Sequence, residues 1–597
     1  MAATYEEGHL EFDKTPDTPA RGRDWVWLCL VVALYVAARV WRLDAACLWF
    51  DELFGMHAAR YAWGDLARFV ALDLIHPPLF YALLKIWVAA GGESVWWLRL
   101  FAVAASTLAL VPLALLGREL RLEPRAVLLA LALAASSGYL IKYAREVRMY
   151  APLLLFAACS LWLFARLCNA GEADSGRRRA TLALAGANLL LAYTHYFGWL
   201  LIGLELVFLL AWHRRLAPRF AAWALGLNAL LFAPWVWALW RAAGAGGGVA
   251  QNIGWAARPR LHEIFLPFLL LHEPFRFQQH SHEPAVLRLS VALALLAFAP
   301  PLVALAWRTF ARSGARVGEG AASDSRDNFA VRFLVFFSIA PVVVTFVLAH
   351  ALPHSVWGTR HLIVIAPAYL LLAAHAVVSL RPGWLAACVC ALLGCWLALA
   401  GALFVTRRHV PPVWCAWGTL ARAVGRDGDD AARSRDEATP RGNDATRSGD
   451  ATRSGDDAAQ RDDAARRDDG VMRRGDGAGL SPREAIRVYA FEDLVAYHLW
   501  HERGGAGGAF EVAVVRGVPG AAEDRAFFLP RGFDGVAVLD YRAAFGEERF
   551  WLAFRAAAWD ESHPALKSLA ARGYAFGRRH EVSSQGQTAI MVPAVRR

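Results

Sequence analysis

Apolar residues run in long stretches through the first two thirds of the chain, separated by short segments rich in arginine or proline. A hydrocarbon core about 30 Å thick takes roughly 20 helical residues to cross, so stretches of this length predict membrane helices. Eleven spans follow, at approximately 25–43, 96–117, 126–141, 147–165, 180–195, 197–212, 220–240, 285–307, 330–351, 361–380 and 384–404. An acidic and polar stretch precedes the first span and no small-residue cleavage site follows it. It is therefore expected to remain as a membrane helix and not as a removable signal.

The basic residues orient the spans. With the N-terminus inside, the inner segments carry Arg21 and Arg23, then Arg118, Arg121 and Arg125, Arg177 to Arg179, Arg214 and Arg215, Arg308 and Arg312, and Arg381. The outer segments are then 44–95 and 241–284, with three short ones around Lys142 to Glu146, Thr194 to Phe197 and Pro353 to His361, and everything past 405 lies outside. Beyond 425 the pattern changes. Residues 426–479 are almost wholly Asp, Arg, Ala, Gly, Ser and Thr, with a tandem DATRSG at Asp444 and Asp450, a composition that buries too little apolar surface to fold. Alternating apolar residues return at 485–490, 510–515 and 535–540, with a helical pattern at 492–502 and a closing strand at 588–592. The expected organisation is an N-terminal cytoplasmic tail (1–24), a mainly α polytopic helix bundle (25–424), a charged linker (425–480) and a small extracytoplasmic α/β domain (481–597).

Composition narrows this further. The chain is 57% hydrophobic with 25 tryptophans and a mean hydropathy of +0.33, which excludes an ordinary soluble enzyme. The net charge of +11 does not form a nucleic-acid-binding face, because only four of the 63 basic residues are lysine and most charges lie between apolar runs or in the linker. Of the eight cysteines, only Cys47 and Cys415 are expected on the oxidising side, and a bond between them is left open.

The chemistry gathers at the outer segments. Asp51 and Glu52 are adjacent carboxylates just past the first span; Asp73, His76 in HPPLFYALLK, and Lys85 follow. Lys142, Arg145, Glu146, Arg148 and Tyr150 crowd the entrance of the fourth span, although a charge pushed toward hydrocarbon costs about 2.5–3.5 kcal/mol. Thr194, His195, Arg360 and His361 open further spans on the same side. Each has a plainer reading as well: a solvated helix start, structural ion pairs, a snorkelling arginine, a satisfied core histidine. Their shared side is what favours function. No P-loop or dinucleotide fingerprint is present, so the donor is expected outside, with a lipid-phosphate headgroup suited to the arginines.

Together these segments, DE (51–52), HPPLFYALLK (76–85), REVRMYAPLLLF (145–156), THYFGWLL (194–201) and GTRHLIVIAPAYLLL (358–372), resemble the bacterial relatives of the protein O-mannosyltransferases. These are the glycosyltransferase family 39 and aminoarabinose-transferase-like enzymes of the GT-C fold. The resemblance covers roughly 25–380; the linker has no counterpart in it. It implies a bacterial inner-membrane enzyme that moves a sugar from a polyprenyl (undecaprenyl or dolichyl) phosphate to a glycolipid, glycan or protein on the outer face. It further implies Asp51 as general base with inversion, Glu52 orienting Asp51 or the acceptor, and Arg148 and Arg360 on the leaving phosphate. Arg145, His76 and Lys85 are lesser phosphate candidates; Asp73, Glu146, Tyr150, His195 and His361 complete the list. An ordinary Asp titrates near ~3.9 and is a weak base at neutral pH, so proton removal late in an oxocarbenium-like transition state is expected. No cofactor is indicated. A divalent metal stays open, because Asp51, Glu52, His76, Glu146 and His195 offer suitable ligands in no closed set. The competing classes are a lipid or glycan flippase, which calls for repeats and midplane polar groups, and a polysaccharide polymerase using a lipid-linked donor.

Overall fold

The computed structural model describes residues 20–597 except 171–174, 245–255, 275–283, 316–320, 407–410, 425–485, 504–509, 519–535, 557–559 and 585. The expected linker and most of the expected N-terminal tail lie outside the described residues. Two compact units result, one ending at Pro411 and one beginning at Pro412. Cys47 falls in the first and Cys415 in the second.

Among the described residues the first unit contains helices and no strand. Helix α1 (Ala20–Val40) is apolar from Trp25 onward and carries Arg39 in its last turn. Residues 44–95, expected as an outer loop, instead form three helices: α2 (Phe50–Arg60), α3 (Trp63–Asp73) and α4 (Leu79–Gly91). At 11, 11 and 13 residues they are too short for the twenty-residue signal that marks a span. Next come α5 (Val95–Leu108), α6 (Leu110–Glu119), α7 (Pro124–Ser136), α8 (Gly138–Tyr143), α9 (Tyr150–Asn169), α10 (Ser175–Thr194) and α11 (Phe197–Trp212). After α12 (Ala217–Phe220), a π-turn at Ala221–Gly226 leads into α13 (Leu227–Gly244). Helices at Pro284–Ala315, Ala321–Ala351, Ala366–Val378 and Gly383–Thr406 finish the unit.

Each expected span falls on helical structure, although 126–141 is broken at Ser137 into α7 and α8 and 96–117 is divided at Ala109 between α5 and α6. By length and apolarity seven of the described helices qualify to cross a membrane, and five shorter apolar ones accompany them, so helix lengths alone do not fix the number at eleven. The span Thr359–Val378 is 83% buried and sits at the centre of the unit, whereas Gly383–Thr406 is 17% buried and lies at its edge. Large apolar side chains face outward, with Trp307 at 75% and Trp240 at 74% exposure. Contiguous apolar exposure on this scale is unfavourable in water and suits a lipid solvent. A buried arginine ties the bundle together: Arg39 donates from Nη1 and Nη2 to Tyr35 O, Ala135 O and Ala134 O at 3.0, 3.3 and 3.0 Å. Two of these are last-turn carbonyls of α7, which have no partner within their own helix.

In the second unit seven strands form one sheet: β1 (Ile486–Ala490), β2 (Phe510–Arg516), β3 (Ala537–Asp540), β4 (Arg549–Ala556), β5 (Tyr574–Phe576), β6 (His580–Ser584) and β7 (Gln587–Arg596). The order is β3-β2-β1-β4-β7-β5, with β6 also on β7. The first four are parallel, Val488 standing opposite both Val512 and Trp551; β7 runs antiparallel to β4, with Leu552 opposite Val592. β7 therefore lies inside the sheet and does not close its edge. Helices Asp493–Glu502 and Pro564–Ala571 belong to this unit, and Tyr489, Phe550, Leu552, Leu569 and Val592 share its core.

Candidate active site

The site begins at the start of α2. Asp51 and Glu52 occupy its first turn, where carboxylates meet the positive end of the helix dipole. They are used differently. Glu52 is fully buried: its Oε2 accepts from Trp49 N at 3.1 Å and Arg99 Nη2 at 3.0 Å, and its Oε1 from Arg99 Nε at 3.2 Å and Val147 N at 2.9 Å. Arg99, from α5, spends its remaining hydrogens on Leu43 O, Ala46 O and Cys47 O at 2.8–2.9 Å. One buried ion pair thus bolts α2, α5, the strand of chain before α2 and the segment before α9 to one another. Asp51, one residue earlier, keeps 21% of its side chain exposed.

Opposite Asp51 stands Arg148. Its Nη2 lies 3.3 Å from Asp51 Oδ2 and its Nη1 3.5 Å from Asp51 O, while its side chain is 5% exposed. Arg148 Nε is buried and has no hydrogen-bond partner among the described residues. Two residues on, Tyr150 opens α9, and the Arg360 guanidinium lies 6.0 Å over its ring. Three imidazoles line the same space: ring centroids are 5.6 Å apart for His76 and His195 and 4.9 Å for His195 and His361, and Tyr150 is 6.5 and 6.4 Å from the latter two. His195 sits in the turn between α10 and α11. Its Nδ1 accepts from Phe197 N at 3.1 Å, so the ring proton is on Nε2, which is buried without a partner among the described residues. The turn is tight enough that a Cβ on Gly198 would lie 2.7 Å from Leu191 backbone atoms.

His76 Nδ1 is 3.4 Å from Asp73 Oδ2, and both residues are buried. Burial first, then the charges of Arg148 and Arg360, hold His76 well below the usual imidazole range. Glu146 is pushed up by burial, against the pull of Lys142, whose Nζ is 3.5 Å away.

Residues 75–240 match the model of a family described as dolichyl-phosphate-mannose-protein mannosyltransferase. Among solved structures, ArnT from Cupriavidus metallidurans in the apo state is similar at 13% identity, with 96% of this chain and 98% of that one covered and a TM-score of 0.52. The same protein bound to undecaprenyl phosphate matches at 14% identity, 96% and 98% coverage and a TM-score of 0.51. No curated protein matches at the level of sequence. The chain is a multi-pass membrane protein with the GT-C glycosyltransferase fold.

Within this GT-C bundle not every expected residue reaches the cluster. Lys85 donates to Ala59 O at 3.1 Å and Tyr61 O at 2.6 Å, so its ammonium serves the last turn of α2. Arg145 donates to Arg42 O. Arg99 was not legible as a site residue, although an arginine inside an apolar run was the signal for it. As for a metal, both Glu52 oxygens are taken by nitrogen donors, and among the described residues no three of His, Cys, Asp and Glu gather into a ligand set. The described residues therefore form no closed ligand set for an ion.

Proposed function

We propose that the chain transfers a sugar from a polyprenyl-phosphate donor to an acceptor at the outer face of the membrane, with inversion and with Asp51 as general base. The observation that carries this is the Asp51–Arg148 pair at 3.3 Å: a carboxylate still open at its rim, next to a buried guanidinium with a hydrogen-bond donor to spare. The GT-C fold and the undecaprenyl phosphate bound by ArnT support the donor class.

The chemistry follows from charge. As the bond from the anomeric carbon to phosphate oxygen lengthens, negative charge grows on the phosphate and positive charge on the sugar ring. Arg148 and Arg360 stabilise the first, with His195 Nε2 as a neutral donor beside them. Asp51 stabilises the second and takes the acceptor's proton as the new bond forms on the face opposite the phosphate. A phosphate that draws Arg148 toward itself loosens the guanidinium's hold on Asp51, so donor arrival and base release are linked. Glu52 acts through the backbone, fixing the first turn of α2 and with it Asp51.

The test is to incubate membranes holding the protein with radiolabelled polyprenyl-phosphate sugars and an envelope extract as acceptor. Label is expected to move with wild type and to fall by about 10²–10⁴ with Asp51→Asn, the usual worth of a general base. Equal transfer by Asp51→Asn would remove Asp51 as the base; no transfer from any donor would favour the flippase reading.

A further inference from the structure

Below the site, α9, α10 and α11 each bring one polar side chain to a common point: Ser160, Asn188 and Glu205, all fully buried. At ~1.5 Å of rise per residue they lie roughly 15, 9 and 12 Å from the helix ends that carry Tyr150, Thr194 and Phe197, near the middle of a span. Ser160 Oγ is 2.7 Å from Asn188 Oδ1 and 2.6 Å from Glu205 Oε1, and Asn188 Nδ2 is 2.7 Å from Glu205 Oε2. The fold therefore holds a carboxyl near the middle of its helices besides the groups gathered at the outer segments.

Counting hydrogens decides the state of the carboxyl. Three short contacts close a ring and each needs one hydrogen between its two atoms. Ser160 owns one hydroxyl hydrogen, and the Asn188 amide, having one nitrogen, directs hydrogen into only one of its two contacts. The third hydrogen has to sit on Glu205. Turning the Asn188 amide over changes which contact it serves and leaves the total unchanged. With a carboxylate, one pair of oxygens would face each other at 2.7 Å or less with nothing between them.

We infer that Glu205 is a positioning residue that works as a neutral carboxylic acid, locking α9, α10 and α11 into one body. The ends of that body carry Tyr150 and the His195 turn, so the lock sets their spacing. Each ring atom is already engaged, and no further hydrogen-bond partner joins the ring among the described residues. Cys168 on α9 also interacts with Glu205.

Glutamine reproduces the acid's pattern of one donor and one acceptor, which gives a discriminating test on the full chain in lipid. Infrared difference spectra of wild type against Glu205→Gln at neutral pH are expected to show a protonated-carboxyl carbonyl band that the variant lacks. In the sugar-transfer assay Glu205→Gln is expected to stay within about threefold of wild type, while Glu205→Ala and Asn188→Leu lose at least tenfold in kcat. Absence of the carboxyl band overturns the inference, as does a Glu205→Gln protein that binds polyprenyl phosphate normally yet is as inactive as Glu205→Ala. The transfer arm rests on the proposed function; the infrared arm does not, so the two can fail separately.

Discussion

Adjacent carboxylates at positions 51 and 52 look interchangeable in the sequence and are opposites in the fold. What separates them is Arg99, whose guanidinium meets both Glu52 oxygens and three backbone carbonyls. Removing one partner of such a buried pair leaves the other uncompensated, at a cost of about 3–5 kcal/mol. Glu52→Ala and Arg99→Met should each lower the thermal midpoint in detergent sharply, and the double variant should lose at least 2 kcal/mol less than their sum; strict additivity would show that the two do not interact. His76 makes a pH prediction. Its folded-state pKa is depressed, so below about pH 6.5 the unfolded chain binds a proton that the folded chain refuses, and stability falls as pH falls. Heat stability measured between pH 7.5 and 5.5 should decline more steeply for wild type than for His76→Gln. At this scale Asp51, Arg148 and Arg360 were legible because charge at a bilayer rim is conspicuous. Arg99 and Glu205 were not, because each reads as a lone interruption of an apolar run until its partners are known.

The spans declared themselves by length and apolarity, and the short helices α2 and α4, which also help to build the site, did not. α2 mixes Asp, Glu, His and Arg with Phe, Leu and Met over 11 residues, too short and too mixed for either period to stand out, and α4 is apolar but falls short of a bilayer. Strand β4 (RFWLAFRA) was missed for the opposite reason: it pairs on both sides, and five consecutive residues are buried, so the alternation that marks a half-buried strand is gone. The α10–α11 turn is sensitive to a single change. Gly198→Ala puts a methyl 2.7 Å from the Leu191 backbone, which has no rotamer to yield. Transfer should drop at least tenfold through displacement of His195, while Gly203→Ala on the same helix, where nothing lies within 4 Å, should be silent. Equal behaviour of the two in the same transfer assay would disconnect the turn from the site.

For the whole molecule, the central proposal is a division of labour across one ion pair: Arg148 holds the donor phosphate and Asp51 handles the acceptor proton. The apolar excess of the composition belongs to the helices, and what remains at the rim is a short list of charges with separate tasks. Equilibrium binding of polyprenyl phosphate, measured side by side for wild type, Asp51→Asn and Arg148→Gln in the same lipid, separates those tasks without requiring the acceptor. Asp51→Asn should bind as tightly as wild type or more tightly, since it releases Arg148 from a competing carboxylate, and Arg148→Gln should bind at least tenfold more weakly. Unchanged binding by Arg148→Gln, or a loss in Asp51→Asn that matches it, would contradict the assignment.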